Sequence, residues 1–144
     1  MTQQNKTILH MDLDTFYVSV ERLMDSRLNG KPILLGGTSN RGVVASCSYE
    51  ARTFGVHSGM PMRMARQLCP EGIVIRGEAG IYTKYSKMVS SIVKERVPVF
   101  EKSSIDEFFA DLTGMDHYFG CAQYASEIRK TIIKETGLPI SFGL

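Results

Sequence analysis

Paired cysteines, long apolar runs and a strong charge of either sign are all missing from this 144-residue chain. Its three cysteines, Cys47, Cys69 and Cys121, are odd in number and far apart. That argues against a disulfide framework or a cysteine-based zinc site and fits a reducing compartment. No apolar run approaches the ~20 residues of a membrane-spanning helix. The polar start, residues 1–6, is followed by too short an apolar run for a signal peptide. A cytoplasmic protein is therefore expected. The formal net charge is only +2, so charge neither demands nor excludes a nucleic-acid partner. Internal repeats and low-complexity tracts are absent as well.

What is there is a globular composition, 43% hydrophobic and 22% charged. The length suits one domain, or one domain with a modest insertion. Two acidic stretches stand out. Ser104-Ile105-Asp106-Glu107 sits between apolar strand-like runs at 98–100 and 108–112, and Met11-Asp12-Leu13-Asp14 follows the apolar run 8–11. Adjacent acids among apolar neighbours are costly to bury without a partner or a cation.

Apolar periodicity predicts a strand over 7–12 and a helix over 15–24, with Phe16, Val20 and Leu23 on one face. Short strands follow at 33–35, 42–46 and 72–75. Short helices are expected at 48–54, closed by Gly55, and from Pro61 in the first turn to Leu68. Beyond Gly80 the pattern is bolder. Tyr82, Tyr85, Val89, Ile92 and Val93 form a helical stripe that ends at Val97-Pro98. A hairpin over 98–103 and 108–112 carries the acids. Thr113-Gly114 makes a turn, a second long helix spans 118–136 with Gly137 beyond it, and 138–144 is a last strand.

With the central portion from Met24 to Glu78 set aside, the order is β-α-β-β-α-β, the split βαβ unit. Its first and second strands are parallel through a right-handed crossover, with the third between them and antiparallel to both. The end of the first strand then lies beside the start of the third. Asp12 is at the former place; Asp106 and Glu107 are at the latter. Such oxygen ligands suit Mg²⁺, and two ions about 3.5–4 Å apart can assist an in-line phosphoryl displacement. Neighbouring strand residues face opposite ways, so Asp106 and Glu107 share a site only if their strand starts irregularly. The alternative is that these acids are turn residues and helix caps, with Asp14 an N-cap for the first helix. Tyr49 and Arg52 share one helix face beside Ser46. They can cradle phosphates, or they can be a commonplace surface pair. Tyr17 is open in the same way between packing and binding. His10, His57 and His117 are scattered and take no ligand role.

His10-Met11-Asp12-Leu13-Asp14-Thr15-Phe16-Tyr17, then Tyr49-Glu50-Ala51-Arg52 with Phe54-Gly55-Val56, then Ser104-Ile105-Asp106-Glu107 resemble the signature blocks of Y-family translesion DNA polymerases, most nearly their bacterial polymerase IV branch. Gly36-Gly37, Gly59-Met60-Pro61 and Leu68-Cys69-Pro70 strengthen the likeness. The resemblance implies an α+β fold: a ferredoxin-like palm over 1–23 and 79–144 with a small inserted fingers domain over 24–78. It further implies that the palm is truncated before its end and that the thumb and little finger are absent. Asp12, Asp106 and Glu107 match the catalytic carboxylates that hold two Mg²⁺ ions, for which Mn²⁺ can substitute. Leu13 matches the residue that offers a backbone carbonyl to a metal. Tyr17 matches the steric gate against a 2′-hydroxyl. Phe16, Ser46, Tyr49 and Arg52 fall among the dNTP contacts, and Val44 and Ala45 in the roof over the nascent base pair. The implied partners are primer–template DNA, a dNTP and a sliding clamp whose binding site is missing here. Departures exist too. Ser46-Cys47-Ser48 stands where Thr, a small residue and Asn are usual, and Phe108-Phe109 is bulkier than the usual pair. The rival readings are a palm-type nucleotide cyclase and a non-catalytic nucleotide- or protein-binding module. Activity of this length of chain alone is expected to be very weak or nil.

Overall fold

A computed structural model of the protein describes residues 7–113 and 120–143. In chain order its elements are β1 (Ile8–Leu13), α1 (Phe16–Met24), a 3-10 turn (Ser26–Leu28), β2 (Ile33–Gly36), β3 (Val44–Cys47), α2 (Tyr49–Arg52), α3 (Met62–Leu68), β4 (Ile73–Ile75), α4 (Ala79–Lys94), β5 (Val99–Lys102), β6 (Glu107–Asp111), α5 (Cys121–Thr136) and β7 (Ile140–Gly143). They form two compact units. One joins Met1–Asp14 to Gly80–Leu144, and the other is the contiguous segment Thr15–Ala79.

In the first unit the strands make one antiparallel sheet in the order β5-β6-β1-β7. β6 runs antiparallel to both β1 and β5, so β1 and β5 are parallel with β6 between them, as the split βαβ order requires. Strand alternation explains the two faces. Leu9, Met11 and Leu13 are at most 2% exposed, while Ile8, His10 and Asp12 on the opposite face are not buried. The other buried residues of this unit include Phe108 and Ala110 from β6, Val89 and Val93 from α4, and Ala125, Ile128 and Ile132 from α5. Gly137 ends α5 with φ 76, a left-handed position that glycine takes without penalty.

The second unit has a three-stranded sheet, β3-β2-β4, in which β2 pairs antiparallel with β3 and parallel with β4. β2 is covered on both faces. Leu34 packs with Val44, Cys47, Ala51, Met62 and Ala65, while Ile33 and Leu35 pack with Val18 and Leu28. Through Val18, α1 is part of this unit, so residues 15–23, assigned to the palm from the sequence, cluster with the inserted segment. Two glycines make the tight β2–β3 connection possible. A Cβ on Gly36 would lie 2.1 Å from the Val43 carbonyl oxygen, and one on Gly42 would lie 2.3 Å from that of Gly37. This crossing of backbones is why β3 begins at Val44 rather than at Gly42.

The alternative reading of Asp14 as a helix cap does not hold, and one expected helix start differs. Asp14 is not the cap of α1. Thr15 holds that position, with φ 39 and no side-chain capping bond. Asp14 is held from the other end of the chain: its N–H donates to the Pro139 carbonyl at 3.0 Å, and its carboxylate accepts from the Ser141 hydroxyl at 2.6 Å. Pro61 precedes α3 as its cap residue instead of entering the first turn, because it is bridged to Val43. Gly114, His117 and the expected helix start at Tyr118 lie outside the described residues, as do residues 1–6 and Leu144. Cys47 and Cys69 are buried free thiols. Among the described residues no helix is long and apolar enough to cross a membrane.

Candidate active site

The acids of the first unit meet through strand pairing. In the β1–β6 register Asp12 lies opposite Glu107, and the Leu13 N–H donates to the Asp106 carbonyl at 2.9 Å. Asp106 therefore sits one step before the strand, in a bend, and Glu107 opens it. The bend is irregular. The N–H groups of Ser103 and Ser104 both donate to the Glu107 carbonyl, at 3.0 and 3.3 Å. The irregular start that Asp106 and Glu107 need in order to act together is present. Ser104 donates its hydroxyl to Asp106 Oδ1 at 3.0 Å. On the other side of β1, Ser141 of β7 lies opposite Asp12.

The electrostatics record the same convergence. Burial, then the negative charges of Asp106, Glu107 and Asp14, push the Asp12 carboxyl above its usual range, and His10 offsets this in part. His10 shares the Asp12 face of β1 and stacks on Phe109, with ring centroids 4.7 Å apart. Like charges directly opposite on a sheet repel. Among the described residues no group of three or more His, Cys, Asp or Glu side chains is drawn together as a metal cluster. The carboxylates share a sheet end without closing on a common point.

The nucleotide candidates belong to the second unit. Ser48 caps α2: its hydroxyl accepts from the Ala51 N–H at 3.2 Å and also from the Ile33 N–H at 2.8 Å. One buried oxygen thus fixes the start of α2 to the start of β2. Tyr49 and Arg52, three apart on α2, stack on each other with the guanidinium 4.9 Å from the ring centroid. Tyr49 is 56% exposed, and Arg52 is exposed and has no carboxylate partner among the described residues. Ser46, just before them on β3, is half-buried. Tyr17 is half-buried on α1, where it packs against the Val18–Leu28 cluster and meets Phe16 edge-on at 5.4 Å. Phe16 itself is 2% exposed and serves as a core residue, so its side chain is withdrawn from any surface site. Of the two expected roof residues only Ala45 faces solvent, since Val44 is buried in the Leu34 cluster. Ser48 was missed as a positioning residue. A serine just ahead of a short helical segment is the signal that could have found it.

The profile of the impB/mucB/samB family matches residues 11–144. The chain is 48% identical to a DNA polymerase IV of Treponema denticola over 139 residues, covering 96% of this chain and 35% of that protein. It is 49% identical to DNA polymerase IV 2 of Mesorhizobium japonicum, covering 96% of this chain and 32% of that one. The chain thus spans about a third of the length of these relatives. Among solved structures, a post-insertion binary complex of Dbh DNA polymerase superposes with a TM-score of 0.87 at 28% identity, over 94% of this chain and 41% of that one. The crystal structure of DinB from Sulfolobus solfataricus matches equally well, at a TM-score of 0.87. With strand order, acid register and sequence in agreement, the chain belongs to the impB/mucB/samB family, the Y-family of DNA polymerases.

Proposed function

We propose that this chain is the part of a translesion DNA polymerase that holds the metals and the incoming nucleotide, for transfer of a deoxynucleotide to a primer 3′ end opposite damaged template bases. The observation that carries the reading is the register of Asp12 opposite Glu107, with Asp106 hydrogen-bonded into the same strand end. The donors there are carboxylate oxygens, and burial together with the charges of Asp106 and Glu107 raises the proton affinity of Asp12, which suits a hard divalent cation such as Mg²⁺, with Mn²⁺ as a substitute. Two ions held by Asp12, Asp106, Glu107 and the Leu13 carbonyl would supply charge stabilisation to the attacking and leaving oxygens.

The remaining roles belong to the protein's own groups. Asp106 exchanges its Ser104 hydrogen bond for a ligand role. Arg52 presents an exposed guanidinium that can donate two parallel bonds to a phosphate, with the Tyr49 ring stacked on it and Ser46 just before them in the chain. The Tyr17 ring, met edge-on by Phe16, is the group that would exclude a 2′-hydroxyl. The exposed methyl of Ala45 makes a small roof, which suits a loose pocket and low fidelity. Primer–template DNA and the sliding clamp are partners of the whole polymerase. This length of chain, about a third of that of its relatives, is expected to extend primers very weakly by itself. The buried free thiols of Cys47 and Cys69 are compatible with the cytoplasm.

Calorimetric titration of a dNTP with Mn²⁺ tests the reading. Binding is expected to be lost in Asp106→Ala and to favour the deoxynucleotide over the ribonucleotide, with that preference abolished in Tyr17→Ala. Primer extension by the whole polymerase that survives Asp106→Ala would overturn it, and a cyclic nucleotide product from ATP or GTP would replace it with a cyclase.

A further inference from the structure

Arg22 lies on α1, five residues beyond Tyr17, and its guanidinium reaches the 3-10 turn, the loop before β2 and α2. Its Nε donates to the Leu28 carbonyl at 3.2 Å. Its Nη2 donates to the Lys31 carbonyl at 2.8 Å and to both carboxylate oxygens of Glu50, at 3.1 and 2.9 Å. The pair is half-buried, with side chains 21% and 32% exposed. Glu50 stands in α2 between Tyr49 and Arg52. A helix of four residues cannot hold itself in place, since one turn is little more than a nucleus. α2 therefore depends on its anchors. Ser48 fixes its start to β2, and Glu50 fixes its flank to α1 through Arg22.

We propose that Arg22 is a positioning residue for nucleotide binding: through Glu50 it sets where Tyr49 and Arg52 stand relative to Tyr17 on its own helix. The proposal rests on the functional reading above. Two physical effects act in the same direction. The planar guanidinium holds two donor nitrogens at a fixed separation, Nε on the Leu28 carbonyl and Nη2 on the Lys31 carbonyl and Glu50, and a single ammonium nitrogen cannot occupy both places. Arg22 also neutralises Glu50, whose carboxylate would otherwise add negative charge to the helix that receives a polyanionic triphosphate. Losing Arg22 lets α2 drift and leaves that charge uncovered. Misplacing a binding group by about 1 Å can cost up to about 10²-fold.

The experiment is single-nucleotide insertion by the whole polymerase that carries this chain, with kcat and KM for dNTP and rNTP measured separately. Arg22→Ala is expected to raise the dNTP KM about tenfold, to change kcat by less than about twofold, and to narrow the deoxy-over-ribo preference. Arg22→Lys should fail to restore KM. The exchange Arg22→Glu with Glu50→Arg should recover part of it. Glu50→Gln keeps an acceptor on α2 while removing the charge, so it should raise KM less than Arg22→Ala and keep the wild-type thermal midpoint. Arg52→Ala separates the two levels of inference. If Arg52→Ala raises KM and Arg22→Ala does not, the positioning role is wrong and the nucleotide reading stands. If neither raises KM, the reading of α2 as a phosphate site is wrong. A lowered kcat with unchanged KM and a lower thermal midpoint would make Arg22 a stability residue only and overturn the proposal.

Discussion

Replacing Ser48 with alanine isolates the anchor at the start of α2. Ser48 and Ile33 are both 0% exposed. The Ser48 hydroxyl accepts from the Ile33 N–H at 2.8 Å and from the Ala51 N–H at 3.2 Å. Alanine removes both acceptors. The lost helix cap costs about 1 kcal/mol. The Ile33 N–H, left buried without that acceptor, costs a further ~1–3 kcal/mol. The sum is about 2–4 kcal/mol. At roughly 3 °C per kcal/mol for a chain of this size, the thermal midpoint falls by roughly 6–12 °C. Thermal unfolding followed by far-ultraviolet circular dichroism reads this directly, and urea midpoints give an independent value. Ser48→Thr keeps the hydroxyl but adds a methyl to a closed site and should fall between. Ser46→Ala, at a half-buried position with no side-chain hydrogen bond among the described residues, should stay within about 0.5 kcal/mol of wild type. A Ser48→Ala midpoint within about 1 °C of wild type would refute the reasoning, because two buried donors cannot lose their acceptor at no cost.

The charge at Asp12 predicts a gain in stability when that charge is removed. Its carboxyl titrates above the usual range, so ionised Asp12 weakens the fold near neutral pH, and the penalty lifts as pH falls through the raised value. Without added cation, Asp12→Asn should therefore raise the thermal midpoint at about pH 7 and flatten its rise toward about pH 5. Mn²⁺ should raise the wild-type midpoint and leave the Asn variant unmoved; identical pH and Mn²⁺ responses in the two proteins would show that Asp12 carries no such strain. Gly36→Ala should cost about 3 kcal/mol or more, because φ is 154 and the added Cβ would meet the Val43 carbonyl oxygen at 2.1 Å. Full retention of the urea midpoint in Gly36→Ala would mean that the β2–β3 connection takes another path.

The order of elements and the meeting of the acids were legible in the chain because both follow from short-range patterns. Alternation from Ile8 to Leu13 separates a buried face from the Asp12 face, and the hairpin around Asp106 sets the register against it. What escaped depends on contacts between residues distant in sequence. Val18 joins α1 to the second unit by packing with Ile33 and Leu35, and nothing in the periodicity of 15–24 names that partner. Alternation puts Val44 and Ala45 on opposite faces of β3 but does not say which face is covered. Thr15 with φ 39 is an unfavoured conformation that no propensity would assign to a β-branched residue, so the cap position of α1 could not be read from the residue types. The Arg22–Glu50 pair joins positions 28 residues apart and is invisible until α1 and α2 are placed.

The nesting of one unit inside the other fixes an order of assembly during synthesis. Thr15–Ala79 is contiguous and can fold as soon as it has left the ribosome. β1 cannot complete its sheet then, because its neighbours are β6 and β7, and Met11 must wait to pair with Phe142. At about 5–20 residues per second, the stretch between Ala79 and Gly143 takes roughly 3–13 s to translate. Through that interval Leu9, Met11 and Leu13 have no sheet to cover them, while the younger segment behind them is already folded. β1 is made before Thr15–Ala79 but buried after it, and it carries Asp12. A nascent chain of this protein should therefore lean on holdase chaperones at β1 rather than at Thr15–Ala79.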